Sequence, residues 1–187
     1  MTSKSILIAI VVIMVFGMVG FLFSLTRSGT EKPPPPASTE PPPGDQIVGK
    51  TETLPEFSFK DYDNRAVRSF DFRDLPLVVS SWASWCDMCM NGITTLAAAQ
   101  RTYEGYVAVV AINRAESRAA AKRATDTLGV SEKLVLLLDP SDSFYASMHA
   151  TTMPETLFIS KDGRIVDRIR GPISREALDQ KIQALLH

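Results

Sequence analysis

The sequence predicts an α/β domain, a mixed central sheet with helices on both faces, preceded by an N-terminal apolar segment long enough to cross a bilayer. Three observations lead there. From Leu77 onward, apolar runs of strand length alternate with segments of helical periodicity. The chain closes as strand, turn, strand, helix, which adds an antiparallel hairpin to strands otherwise joined through helices. The first fifty residues differ in composition from the rest, apolar first and then proline-rich.

Residues 1–5 are a short tail. Ile6 to Leu25 is a run of twenty residues with one serine and no charge. A helix of that length spans about 30 Å, the thickness of a bilayer's hydrocarbon core. It is longer than the apolar core of a cleaved signal peptide, lacks an A-x-A-like site, and reads as an uncleaved transmembrane anchor over residues 6–25. Lys4 precedes it and Arg27 and Lys32 follow, so charge alone leaves its orientation open. Residues 26–50 read as a linker. Pro33 to Pro43 holds seven of the chain's 12 prolines, a run that favours polyproline II and makes a semi-rigid spacer of roughly 34 Å.

Residues 51–187 read as one domain. Phe57 and Phe59 alternate as in a half-buried strand, Asp63-Asn64 signals a turn, and Ala66 to Arg68 returns. Ser69 to Asp74 reads as a helical turn and Leu77 to Trp82 as the central strand. Met88 to Tyr103 has helical spacing, with Ile93, Leu96 and Ala97 toward the core and Gly105 as its C-cap. Tyr106 to Ile112 is expected as a buried strand, and Glu116 to Leu128 as an alanine-rich helix stopped by Gly129. Leu134 to Leu138 is a continuous apolar strand before Asp139-Pro140, and Ser143 to Met148 a short helix. Thr156 to Ser160 and Arg164 to Arg170 form a hairpin across Lys161-Asp162-Gly163. Ser174 to Leu186 is an amphipathic helix with Leu178, Ile182 and Leu185 on one face.

From Asp45 onward there are 17 Lys+Arg and 19 Asp+Glu, a balance of −2, with no basic face or tail. Nucleic acid is therefore not an expected partner. A domain of this size builds a core without disulfide staples, so its two cysteines read as chemistry rather than scaffolding.

Those two, Cys86 and Cys89, stand three apart where the central strand Leu77 to Trp82 passes through a tight turn into a helix. The reactive form of cysteine is the thiolate, and a helix N-terminus offers unpaired N–H groups and the positive end of the helix dipole. A cysteine there ionises more readily than a free thiol, and a second thiol one turn on is close enough to form a Cys86–Cys89 disulfide. Cys86 would attack a partner's disulfide and Cys89 would resolve the mixed disulfide. An inert disulfide or half of a zinc site would share this spacing.

Trp82-Ala83-Ser84-Trp85-Cys86-x-x-Cys89 after an apolar strand resembles the thioredoxin fold, in its membrane-anchored TlpA/ResA/CcmG-like branch of thiol–disulfide oxidoreductases. The resemblance runs from about Leu54 to Leu186 and includes Ser80, Asp139-Pro140, Pro154-Glu155-Thr156, Phe158-Ile159 and Asp162-Gly163 in the family's order. It implies a thioredoxin-like domain with a cis-proline at Pro154 facing the cysteines. Trp82 and Trp85 would shape the site, and the Met153 backbone would pair with an extended substrate peptide held at Pro154. It also implies a C-terminal domain in the periplasm, tethered to the inner (cytoplasmic) membrane by a single pass. Its partners would be protein disulfides, apocytochrome c among the candidates because Pro-Glu-Thr is like the cytochrome c maturation members, and a membrane thiol relay as electron donor. No cofactor or metal is expected.

The chain departs from the family in places. Gly92 stands where a glutamate is common, Thr94 where proline is common, and His149-Ala150 where glycine-valine is usual. A buried acid near Gly92 would help take the proton from the resolving cysteine, so its absence implies slower or differently tuned exchange. Asp87, between the cysteines, suits a helix N-terminus but opposes a neighbouring thiolate, which favours a reductant over a strong oxidant; the alternative is a first-turn residue that only faces solvent. Two other readings use the same residues. One is a copper-binding metallochaperone with Cys86, Cys89, Met88, Met90, Met153 and His149 as soft ligands. The other is a redox-inactive tethered interaction domain. Zinc lacks clustered histidines, and Met90 after the CxxC disfavours covalent haem.

Overall fold

The computed structural model describes residues 52–187. The expected N-terminal tail, the anchor and the whole linker lie outside the described residues. Among the described residues no helix is long and apolar enough to cross a membrane.

One seven-stranded sheet organises the domain. Its strands are β1 (Ser58–Lys60), β2 (Ala66–Arg68), β3 (Leu77–Trp82), β4 (Ala108–Arg114), β5 (Val135–Asp139), β6 (Glu155–Ile159) and β7 (Ile165–Arg170). They lie in the order β2-β1-β5-β4-β3-β6-β7. β3, β4 and β5 are parallel, while β1, β6 and β7 run against their neighbours, so the sheet is mixed. A 3₁₀ turn spans Ser69–Phe72, and the helices are α1 (Asp87–Thr102), α2 (Arg118–Thr127), α3 (Ser143–Ser147) and α4 (Arg175–Leu186).

All six residues of β3 are buried, as a strand covered on both faces requires. Side chains alternate between faces, so β3 divides its residues between two cores. Val78 and Trp82 join Ile93 and Leu96 of α1, Ala121 of α2, and Leu178 and Ile182 of α4. Leu77 and Val79 join Phe57, Val110, Ile112, Leu157 and, from α3, Phe144. Phe57 stacks on Phe59, and Phe144 packs edge-on against both. Helices on both faces follow from this division.

Several boundaries differ from expectation, and four of them, around α1, β4 and α2, have a clear local reason. α1 ends at a Tyr103 C-cap whose N–H donates to Ala99, two residues before Gly105. The N–H groups of Tyr106 and Val107 then bond the Tyr103 carbonyl in a turn where Gly105 adopts φ +81°. Tyr106 is left exposed, and β4 starts at Ala108 rather than Tyr106. β4 also runs on to Arg114, because Asn113 and Arg114 still pair with Leu138 and Asp139. α2 begins at Arg118, since Ser117 is the N-cap and accepts from the Ala120 N–H. Glu116 is thereby left in the loop.

Candidate active site

The register brings the chemistry to one end of the sheet. The carboxyl end of β3 meets Asn113 of β4 through Trp82, and Ser81 pairs with Glu155 at the start of β6. The turn after β3 and the segment before β6 therefore lie side by side, at the strand ends where α/β sheets place their sites.

Cys86 is the N-cap of α1 and is joined to Cys89 by a disulfide. The Cys89 N–H donates to the Cys86 sulfur at 3.2 Å, and the Cys86 carbonyl accepts from Cys89 and Met90. The sulfur thus caps the helix, and the N–H that meets it in the disulfide would meet a thiolate in the dithiol. Cys86 is 7% exposed and Cys89 1%, so the sulfur an incoming disulfide can reach is that of Cys86.

The other anticipated residues divide by exposure. Trp82 is buried in the core that contains both cysteines, whereas Trp85 and Met88 are largely exposed beside them. Asp87 is the first residue of α1 and faces solvent. Met153 packs against the disulfide's core, and the Met153–Pro154 peptide bond is cis. His149 is exposed on the loop leading to it, with φ +49°. Met90 also packs on the core. Among the described residues no three His, Cys, Asp or Glu side chains gather as a metal site.

That loop is held by bonds with no sequence signal of their own. The Tyr145 hydroxyl donates to the Thr152 carbonyl, and the Ala150 N–H to the Tyr145 carbonyl. The Arg114 guanidinium lies 3.3 Å above the Tyr145 ring and forms a two-pronged bond with Asp142. That bond raises the Arg114 pKa despite its partial burial. Asp139 caps α3, accepting from the Phe144 N–H and from the hydroxyls of Ser141 and Ser143.

Two buried charges sit next to the cis bond. Glu155 is fully buried, and its carboxylate accepts from Arg168 at 2.5 Å and from the Thr151 N–H. Arg168 also donates to the Met148 carbonyl and to Glu52. Glu155 has the parity of Leu157 and Ile159, which places this pair on the sheet face away from the disulfide.

The disulfide face carries neutral polar groups instead. The Ser80 and Thr156 hydroxyls bond each other at 2.9 Å. Asn113 donates to Glu116 at 2.7 Å, and Glu116 also accepts the Ser84 N–H at 2.7 Å and the Ser84 hydroxyl at 2.5 Å. The indole N–H of Trp82 and the side-chain carbonyl of Asn113 are buried without partners. Nearby, burial pushes the Tyr62 phenol up to about 12, a hydrogen bond from Thr125 works against this, and the charges of Asp126 and Glu116 add to it. Asn113 and Glu116 bond each other three residues apart, and they escaped the sequence reading because the turn they serve is distant in the chain, Ser84 being 32 residues from Glu116.

Comparison with known proteins bears on the same region. The family model described as Redoxin matches residues 49–186. The thiol-disulfide oxidoreductase ResA of Geobacillus thermodenitrificans is 22% identical over 139 residues, 74% of this chain and 79% of that protein. Among solved structures, a putative thiol:disulfide interchange protein DsbE from Chlorobium tepidum aligns with a TM-score of 0.68 at 23% identity, covering 74% of this chain and 99% of that one. A thiol-disulfide oxidoreductase from Bacteroides fragilis aligns with a TM-score of 0.63 at 25% identity, covering 72% and 100%.

Proposed function

The chain belongs to the Redoxin family, and from that premise we propose that it is a membrane-anchored, periplasm-facing enzyme that reduces disulfides in exported proteins. Its activity class is thiol–disulfide oxidoreductase of the ResA/DsbE/CcmG type. The observation that carries the reading is the Cys86 sulfur at the head of α1, bonded by the Cys89 N–H and more accessible than Cys89.

The cycle starts from the dithiol. The Cys86 thiolate attacks one sulfur of the substrate disulfide and expels the other as a thiolate, leaving a mixed disulfide. Cys89 loses its proton and attacks the Cys86 sulfur, which releases the second substrate thiolate. The substrate has gained two electrons and the Cys86–Cys89 disulfide is restored. A membrane thiol relay returns the pair to the dithiol. Met153, beside Pro154, offers backbone to an extended substrate, and Trp85 and Met88 offer exposed apolar surface. Asp87 is a first-turn charge that opposes the Cys86 thiolate.

The anchor rests on the twenty apolar residues from Ile6 to Leu25, and the inner-membrane, periplasmic location on the family resemblance. Apocytochrome c is one candidate substrate, because Pro154-Glu155-Thr156 resembles the cytochrome c maturation members. Cys89→Ser leaves the mixed disulfide unresolved. Expressed in cells, it should trap exported proteins on Cys86, apocytochrome c among them. Cys86→Ser should trap nothing and should lose insulin reduction. Equal trapping by the two variants would overturn the assignment of roles.

A further inference from the structure

We propose that Glu116 is a positioning residue of the active-site turn, which locks Ser84 in place and keeps a negative charge beside Cys86, making the pair a stronger reductant. The inference rests on the oxidoreductase reading above and adds a determinant of its driving force.

The buried polar groups divide between the two faces of the sheet. Glu155 and Asp139 share the parity of the core containing Leu137 and Leu157, away from the disulfide. On the disulfide's own face the buried polar residues of the central strands are Ser80, Asn113 and Thr156, all neutral. Gly92, one turn beyond Cys89, contributes no acid. The carboxylate that the fold does bring to the active-site turn is Glu116. Half-buried in the loop between β4 and α2, it receives both donors of Ser84 and the amide of Asn113.

Ser84 is two residues before Cys86, and the Cys86 N–H bonds the carbonyl of Ala83, the residue preceding Ser84. Two residues of chain span at most about 7 Å, so a carboxylate bonded to Ser84 acts on the Cys86 sulfur from about 10 Å. Asp87 is exposed and screened by water, whereas Glu116 is fixed by three hydrogen bonds. Nearby, the charge of Glu116 helps to raise the Tyr62 pKa, and the Ala150–Pro154 segment carries no titratable side chain, with His149 exposed just before it and Arg118 two residues beyond Glu116, its guanidinium bonded to Asn64. The N-terminus of α1 favours the Cys86 thiolate, and Glu116 and Asp87 oppose it. A less favourable thiolate means a dithiol that gives up its electrons more readily.

One charge at that distance, in a medium between protein surface and water, changes thiol acidity by about threefold. A tie that is only structural would weaken oxidised and reduced protein alike and leave the dithiol–disulfide equilibrium unchanged.

The test uses the full-length protein in detergent, with Glu116→Gln, Glu116→Asp and Ser84→Ala. The pH profile of Cys86 alkylation is measured in the reduced protein. The equilibrium with glutathione is measured at a pH above the Cys86 pKa found from that profile. Glu116→Gln should raise Cys86 acidity about threefold and move the equilibrium about threefold toward the dithiol. That is about 15 mV for a two-electron couple in which tenfold is about 30 mV. Glu116→Asp and Ser84→Ala keep the charge and should stay near wild type. An unshifted Glu116→Gln, or equal shifts in Glu116→Gln and Glu116→Asp, would overturn the proposal while leaving the oxidoreductase reading intact. A wild-type pair that does not exchange with glutathione would overturn both.

Discussion

Replacing Arg168 with leucine isolates a buried carboxylate next to the substrate-binding loop. In the wild type the Arg168 guanidinium serves Glu155, Glu52 and the Met148 carbonyl. Glu52 keeps a third of its side-chain surface in water and can turn outward once released. Glu155 has no exposed surface, and of its partners only the Thr151 N–H would remain. Breaking a buried pair from one side typically costs about 3–5 kcal/mol, against a total stability of about 5–15 kcal/mol for a domain. Urea unfolding of Arg168→Leu should therefore show a loss in that range. Arg168→Leu/Glu155→Leu removes the stranded charge and should recover most of it, giving a coupling of about 2 kcal/mol or more in the double-mutant cycle. A loss below about 1 kcal/mol for the single variant, or additive losses in the double, would refute the claim that Glu155 depends on Arg168. Because Met148 and Thr151 flank the loop before Pro154, Arg168→Leu should also slow mixed-disulfide formation more than its remaining folded fraction accounts for.

Other outcomes follow from single features. Tyr62 has its pKa raised by burial to about 12 in the folded state, against about 10 unfolded, so its contribution is complete below pH 10 and is lost as pH rises toward 12. Tyr62→Phe should flatten that alkaline loss, measured in a Cys86→Ser/Cys89→Ser background so that thiol exchange does not intervene; an unchanged pH slope would contradict it. His149 holds φ +49°, a region costly for any residue with a Cβ, and His149→Gly should raise stability by about 1 kcal/mol in urea unfolding. Gly92 lies inside α1, and a Cβ added there would meet no heavy atom within 4 Å, so Gly92→Ala should stabilise by about 0.5–1 kcal/mol in the same assay. The reduction potential of the pair should lie well below the roughly −120 mV of DsbA, and a glutathione titration giving a value near that figure would reverse the reductant assignment.

Much of this architecture is local enough to read along the chain. β3 is six consecutive buried residues, and its run through a turn into an amphipathic helix places Cys86 at a helix head whatever packs around it. The pattern of Ile93, Leu96 and Ala97 shows which way α1 must face. Ser174 caps α4 through the Ala177 N–H, and that helix buries Leu178 and Ile182, the inward positions of its periodicity. Short-range sterics and the burial of one face are sufficient causes for these features. The pairing of Glu116 with Ser84, the orphaned polar atoms of Trp82 and Asn113, and the burial of Glu155 against Arg168 have no local cause. They exist because strand register sets residues 13 to 76 positions apart side by side, where desolvation makes every unmet hydrogen bond costly. The reactive pair is thus written in adjacent residues, while the charges and bonds that tune it depend on how the sheet is assembled.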